Sequence, residues 1–445
     1  MVSVVLGKDP QQEKMRLLES VLTAVAFVWA GADAQGVPKL PLPKTCSDVS
    51  NFRYQYTAAS GWSAMKIAGG LKQVRTIIWD PLGNMLVAQA TKGISVHTFG
   101  PDGCINSTNM LISGSQLNHG LTLTPDGSPL YASGETAAYS WSYNPATRTI
   151  SNQKIIIKGI SLGIHFTRTI AVVPKQPNLI LVQVGSNANF DMAAAQPSTG
   201  RAIIKIFDTS KAPSGGFNCN TDGEVYGYGL RNTIGFVPDP NRVFWCVENS
   251  GDDFSRTENG QQRDIHQNNP DEELNKRDYP TCFAVWDASS FSGLKTGSNF
   301  VVSPNSSFND ATCNTNKAIP PRLSFQAHSA PIWNTFDVEA KNMYVAFHGS
   351  WNRQPPTGFK VVQIPFQKLA DGSYDPVAPI DSMTGYRDIF GATNPGSCTA
   401  NGLTRSNCFR LTALAWNPAG RGLFVGSDNR AEGKIFVLTP PASGA

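Results

Sequence analysis

The stretch Thr76-Ile-Ile-Trp-Asp-Pro-Leu-Gly-Asn-Met-Leu-Val87 sets an apolar run on each side of a short turn, Asp80-Pro-Leu-Gly-Asn84. β-Branched and aromatic residues flanking a Pro/Gly turn are the signature of a β-hairpin. The arrangement returns five times, around Thr124-Pro-Asp-Gly127, Val173-Pro-Lys-Gln-Pro177, Val237-Pro-Asp-Pro240, Asp337-Val-Glu-Ala-Lys341 and Asn417-Pro-Ala-Gly420, and only the fifth turn has neither Pro nor Gly. Counted from Pro81, successive units begin 44, 49, 64, 100 and 80 residues apart, so the later ones carry insertions. Six such hairpins predict an all-β fold, a six-bladed β-propeller of four-stranded antiparallel blades.

Composition agrees. Gly (40) and Pro (30) suit many tight turns in a chain of 445 residues, and no long helical periodicity competes with the strands. The net charge of +4 is spread along the chain and argues for neither a nucleic-acid nor an anionic membrane partner. Lys14 and Arg16 precede an apolar run at residues 21–29, followed by Ala32-Asp33-Ala34. This predicts an export signal over residues 1–34, with an atypical extension at 1–14 and Met15 as an alternative start, and a secreted chain beginning at Gln35. The run is too short to span a bilayer and no second one is long enough for an anchor. Residues 35–445 are expected to form a single propeller domain, acting as a monomer.

Eight cysteines fit an oxidising destination. Cys398 with Cys408 and Cys282 with Cys313 are the first expected pairs, and Cys46, Cys104, Cys219 and Cys246 are expected to supply two more. A zinc site is not expected, because no Cys-x-x-Cys spacing occurs. Asn106-Ser-Thr108 and Asn305-Ser-Ser307 are glycosylation sequons expected on surface loops.

In an antiparallel hairpin the start of the first strand and the end of the second lie together, opposite the turn. In a propeller these ends ring one mouth of the central channel. Before the first strands stand Arg75, Asn118-His119, His165 with Arg168, Arg231-Asn232, His328 and Arg410; after the second strands stand Gln89, Glu135, Ser186-Asn187, residues 248–253, residues 348–353 and residues 427–430. Four of the six histidines and six arginines gather there. Any one of these arginines is as readily a structural donor, but six together favour an anionic ligand with several carboxylates, since no phosphate-cradling Gly loop is present. Glu248-Asn-Ser-Gly-Asp-Asp253, joined by the acids of Asn269-Pro-Asp-Glu-Glu-Leu-Asn275, offers carboxylates and carbonyls to a hard cation such as calcium, without EF-hand spacing. The alternative is a solvated acidic loop. His165, three residues before Arg168, is the leading general base, with His119, His328 and His348 as rivals or packing residues.

His165-Phe-Thr-Arg-Thr169, Tyr228-Gly-Leu-Arg-Asn232, Asn269-Pro-Asp-Glu-Glu-Leu-Asn275, Ala327-His-Ser-Ala-Pro331 and Phe347-His-Gly-Ser-Trp-Asn-Arg353 resemble the soluble quinoprotein sugar dehydrogenases. The similarity spans roughly residues 45–440 and is nearest to the fungal pyrroloquinoline quinone (PQQ)-dependent pyranose dehydrogenases of auxiliary activity family 12. It implies a six-bladed propeller with PQQ and calcium at one mouth. It further implies His165 as the base taking the sugar hydroxyl proton and Arg231 beside the quinone oxygens. Asn232, Arg353 and Arg410, with Arg75 and His348, are implied for holding PQQ. The carbonyls of Ser250 and Gly251 are implied for calcium, with Asp252 and Asp253 as possible additions, because related bacterial enzymes have Gly-Pro where Ser250-Gly251 stand. Trp351 is either a wall of the sugar pocket or a core residue.

The same resemblance implies an external electron acceptor: a separate cytochrome b, a small mediator, or a copper polysaccharide monooxygenase. No Cys-x-x-Cys-His haem motif occurs in the chain. Two other readings compete, a calcium-dependent propeller lactonase and a noncatalytic glycan-binding propeller. The ring of arginines argues against the first, which has no carboxylates of a quinone to grip.

Overall fold

The computed structural model describes residues 40–274, 279–399 and 406–442. The expected export signal lies outside them. Six antiparallel sheets follow one another in a ring. Blade 1 runs Val74–Trp79, Met85–Gln89, Gly93–Phe99 and Ile105–Ser113, and its order repeats in blades 2 to 5. The second strand of a blade is wedged between neighbouring blades, which is why Met85–Gln89, Leu130–Gly134, Phe244–Glu248 and Leu423–Ser427 are buried at every position. Fourth strands such as Ile105–Ser113 face solvent and carry polar residues.

Blade 6 is closed from the other end of the chain. Leu411–Trp416, Leu423–Ser427 and Gly433–Thr439 are completed by Ser63–Leu71, paired antiparallel with Gly433–Thr439. Tyr56–Ala58 adds to the edge of blade 5, and Tyr374–Pro376 pairs there as well, making six strands. Blade 2 gains a fifth, Phe217–Asn218. Four-stranded blades are thus the rule, with additions at blades 2 and 5.

Stability comes from the seams between blades. Leu86 and Ile94 of blade 1 meet Leu121 and Leu130 of blade 2; Val247 of blade 4 meets Met343 and Val345 of blade 5; Val74 and Met85 meet Ala413, Phe424 and Ile435 of blade 6. Closing the ring buries both faces of every blade and removes most edges.

The turns explain how the fifth repeat manages without Pro and Gly. Asp80 accepts from the backbone N–H of Leu82 and Asn84 at 2.9 and 2.8 Å; Asp239 accepts from Asn241 and Val243, Asn417 from Arg421 and Gly422, and Asp337 from Lys341. The Asp or Asn at the head of the turn organises these loops by taking backbone donors two to five residues on. Ala340 sits at φ 52° where repeat 1 has Gly83 at φ 81°, a left-handed position that Ala tolerates at some cost.

The 100-residue step is an elaborated blade 4. Its outer strands are short, Glu272–Leu274 and Leu323–Phe325, and two small hairpins are inserted, Ser255–Glu258 with Gln261–Asp264 and Phe283–Ala284 with Asn299–Phe300. They enclose a separate core of Phe254, Tyr279, Phe283 and Phe300. No described helix is long and apolar enough to cross a membrane.

Three disulfides form: Cys46–Cys104, Cys282–Cys313 and Cys398–Cys408. The expected bond using Cys219 and Cys246 does not. Cys219 packs at the seam of blades 2 and 3 and Cys246 at that of blades 3 and 4, each buried in its own apolar cluster. Cys46–Cys104 pins the segment before the closing strand to blade 1. Replacing both cysteines by Ser is expected to lower unfolding free energy by about 2–4 kcal/mol, read by urea denaturation. Asn106 and Asn305 are both exposed, Asn106 on the outer strand of blade 1 rather than in a loop.

Candidate functional site

The ends opposite the turns converge on one cavity of about 610 Å³. Arg75, His165, Arg231, Asn232, Ser250, Asp252, His348 and Arg410 all line it, together with Asn118, Glu272, His328, Trp351 and Asp428. Gly251, Asp253 and Arg353 are not among its lining residues. Gly251 is buried against Phe254, whose Cε2 would stand 2.2 Å from a Cβ at that position, and Asp253 is exposed. Arg353 turns toward the blade 4 insertion, donating to Gln267 O and to Asn268 Oδ1.

One wall is organised by Asp428, at the end of the second strand of blade 6. Fully buried, it receives Arg75 Nη1 at 2.6 Å and His348 Nε2 at 2.8 Å. Burial opposes its charge, but His348 and the arginines outweigh that and hold its carboxyl below the usual range. Because Nε2 of His348 donates to a carboxylate, Nδ1 is left as an acceptor. Burial and Arg410 push His348 down to about 4, so it is neutral. Arg75 Nε donates to His119 Nδ1 at 3.2 Å, which gives His119 a supporting role. Arg410 donates to Gly349 O at 2.8 Å and lies over Phe359; Gly349, at φ 99°, leaves no room for a Cβ, which would fall 2.3 Å from that ring. Burial lowers Arg410 to about 10, still charged at neutral pH.

The facing wall joins blades 3 and 4. Arg231 is buried and saturated: Nε donates to Asn189 O at 3.2 Å, Nη1 to Asn249 O at 3.2 Å and Ser250 O at 2.5 Å, Nη2 to Asn189 Oδ1 at 2.8 Å and Asp252 Oδ2 at 3.3 Å. Asp252 is also approached by His328 Nδ1 at 3.4 Å, while His328 Nε2 donates to His266 O. Desolvation works against the Asp252 anion, yet His328 and Arg231 keep its carboxyl below the ordinary range. Glu272, from the acidic motif, accepts from Ser250 N at 2.9 Å and Ala330 N at 3.4 Å, and burial pushes it up to about 8. His165 is half-buried; its Nδ1 lies 3.1 Å from Ser186 O and 2.9 Å from Ser186 Oγ. Burial, then Arg231, push it down to about 3. Arg168 is structural, donating to carbonyls of Glu135, Ser161, His165 and Thr167.

Two groups fit ligands. Arg75 and Arg410 place two guanidinium groups on one wall, and Asn118 and Asn232 each leave a buried amide terminus without a protein partner. Those free atoms are the Oδ1 acceptors, so a flat ligand with carboxylates for the arginines and a ring N–H for an amide oxygen matches these residues. Across from the arginines Ser250 O, Asp252 and Glu272 present the oxygens a hard cation takes. Among the described residues no three His, Cys, Asp or Glu side chains form a metal cage, so a cation there depends on carbonyls and on the ligand.

Asp428, the hub of the first wall, was legible only as one polar residue at a strand end; its role comes from two partners more than 70 residues away. Trp351 is 55% exposed at the mouth and is not a core residue.

Residues 56–441 match the TrAA12-like family. The chain is 38% identical over 410 residues to the PQQ-dependent pyranose dehydrogenase of Coprinopsis cinerea, which covers 88% of this chain and 56% of that protein. It therefore spans little more than half the length of that curated relative. The holo PQQ domain of the Coprinopsis cinerea pyranose dehydrogenase superimposes with a TM-score of 0.83 at 38% identity, over 91% of this chain and 99% of that one. A calcium structure of a family AA12 enzyme from Trichoderma reesei gives 0.80 at 33%, over 88% and 99%. Ring, mouth and similarity agree, and this chain belongs to the TrAA12-like family.

Proposed function

We propose that the cavity binds PQQ with a calcium ion and oxidises a hydroxyl of a pyranose or ketoaldose sugar, passing electrons to an external acceptor. The observation that carries this reading is a single cavity lined by Arg75, Arg410 and the amides of Asn118 and Asn232 together with His165, Arg231 and clustered oxygens. The relatives named for PQQ, and the calcium structure of a family AA12 enzyme, support the choice of groups. Arg75 and Arg410 would grip the carboxylates of PQQ, with His348 beside them and Asn232 reaching the ligand from the side of Arg231, and Arg353 would join only by leaving Gln267 and Asn268. Calcium would lie against Ser250 O with Asp252 near it, sharing or displacing the donor that Arg231 Nη1 now gives that carbonyl. Gly251 O and Asp253 remain candidate ligands.

PQQ, when bound, supplies a two-electron acceptor. The protein supplies the proton chemistry: His165 Nε2, neutral and facing the cavity, takes the hydroxyl proton of the sugar. Arg231, fixed by five acceptors, keeps a positive charge in place without reorganising. Exposed Trp351 offers a flat apolar face for a pyranose ring at the mouth. Three disulfides and two exposed sequons support secretion and glycosylation, with the signal at residues 1–34 removed. The acceptor would be a separate cytochrome b, a small mediator or a copper polysaccharide monooxygenase, and the chain would act as a monomer.

Titrating the protein with PQQ in calcium, followed by calorimetry, tests the grip. Arg410→Ala is expected to weaken binding by about 30-fold or more, corresponding to roughly 2 kcal/mol or above for truncating a buried charge partner. Equal affinity in variant and parent would remove Arg410 from the site.

A further inference from the structure

We propose that Ser186 is the positioning residue of the base, holding His165 in the tautomer with its proton on Nδ1 and tying it to Arg231. The inference rests on the reading of His165 as proton acceptor. Ser186 is fully buried just beyond the blade 3 strand Gln176–Val184. Its carbonyl oxygen, 3.1 Å from His165 Nδ1, can only accept. Its Oγ, 2.9 Å from the same nitrogen, spends its own hydrogen on Ala188 O at 2.8 Å, so it too accepts from the ring. Both contacts demand hydrogen on Nδ1, which leaves Nε2 with the lone pair. The opposite tautomer would present N–H to a sugar hydroxyl and accept nothing from it.

The same residue reaches the second catalytic group. Ser186 N donates to Arg231 O at 2.8 Å, so one backbone unit sets the spacing of His165 and Arg231. Gly185 makes the approach possible, because a Cβ there would lie 2.6 Å from His165 Cβ. The loop that follows is braced by Tyr279 from the blade 4 insertion. Its hydroxyl reaches Ala188 O and Asn189 O, both at 3.1 Å, and accepts from Asp191 N. Asn189 in turn takes two donors of Arg231. Tyr279 therefore supports base and arginine through one loop.

The experiment uses two readouts. In protein with 15N-labelled histidine, two-bond ring correlations report which nitrogen of His165 carries hydrogen; the His165→Gln spectrum identifies its signals. The parent is expected to show hydrogen on Nδ1 alone; Ser186→Ala keeps the backbone carbonyl and loses only Oγ, so hydrogen on Nδ1 should still predominate beside a minor Nε2–H population, and Ser186→Thr should restore the parent pattern. In protein loaded with PQQ and calcium, Ser186→Ala is expected to lower kcat about tenfold, the scale of one lost hydrogen bond, with KM within about twofold. Hydrogen on Nε2 in the parent, or a Ser186→Ala protein with both the parent's single tautomer and the parent's kcat, overturns the proposal. A mixed tautomer in a protein that oxidises no sugar upholds the positioning and sinks the reading of His165 as a base.

Discussion

Replacing His165 by Ala is expected to lower kcat for sugar oxidation by about 10²–10⁴-fold while PQQ binding stays within about threefold, the range for loss of a positioned general base. The split follows from geometry. His165 stands on the blade 3 and 4 side, while the guanidinium groups assigned to the PQQ carboxylates stand around Asp428 on the other. His348→Ala is expected to do the reverse, weakening PQQ binding first, because His348 is locked to Asp428 between Arg75 and Arg410. The pH profile of His165 has a definite sign. A base works when neutral, and burial with Arg231 pushes His165 down to about 3, so activity should not fall as pH drops through 6.5 and should be lost only near pH 4 or below. Equal turnover of His165→Ala and parent would transfer the role to His348.

The ligand-free protein is expected to lose roughly 5–10 °C of Tm between pH 6.5 and pH 4.5. Burial lowers His97 to about 4, His165 to about 3 and His348 to about 4, and holds His119 well below its ordinary value. Each binds a proton in the unfolded chain below about 6.5 and refuses it in the folded one. Stability therefore rises with pH from about 4 to 6.5, by about 1.4 kcal/mol per unit for each histidine, and is flat in these groups above that. Glu272 opposes them: burial raises it to about 8, so it favours the folded state below about 4.5 and loses that contribution as pH rises toward 8. Four histidines outweigh one glutamate, and the large unfolding entropy of a chain this size converts the sum into the stated shift. Calorimetry across the range checks it. His97, on blade 1 between Ser95 and Thr108, lies outside the cavity, so His97→Gln should flatten the slope without touching PQQ binding. A Tm that does not change between pH 6.5 and 4.5 would contradict the burial of these rings as neutral groups.

What the chain discloses by inspection follows a physical line. Hairpins are local, so turns such as Asp80 to Asn84 and the strands beside them can be read directly, and with them which residues lie at the mouth. Contacts across the ring are not local. The closing strand Ser63–Leu71 pairs with residues more than 360 positions away and has no Pro/Gly turn to announce it. Asp428 matters because blades 1 and 5 reach it, and Cys219 and Cys246 look like a pair until the fold places them at different seams. Arg353 shares a motif with His348, yet the turn between them, with Gly349 at its start, carries its side chain toward Gln267. The fifth turn is legible from its flanking strands without Pro or Gly, and the Asp337 carboxylate organises it by accepting from Lys341 N and the Asn342 amide.

The central claim is that this mouth is a quinone and cation site that oxidises sugars. Protein stripped of metal, then given PQQ with and without calcium, should reduce a dye only when sugar is also present. The account predicts sugar-dependent reduction that requires PQQ, increases with calcium, and is lost in His165→Ala. Lactone hydrolysis without PQQ, or no dye reduction with any pyranose or ketoaldose although PQQ binds, would contradict it.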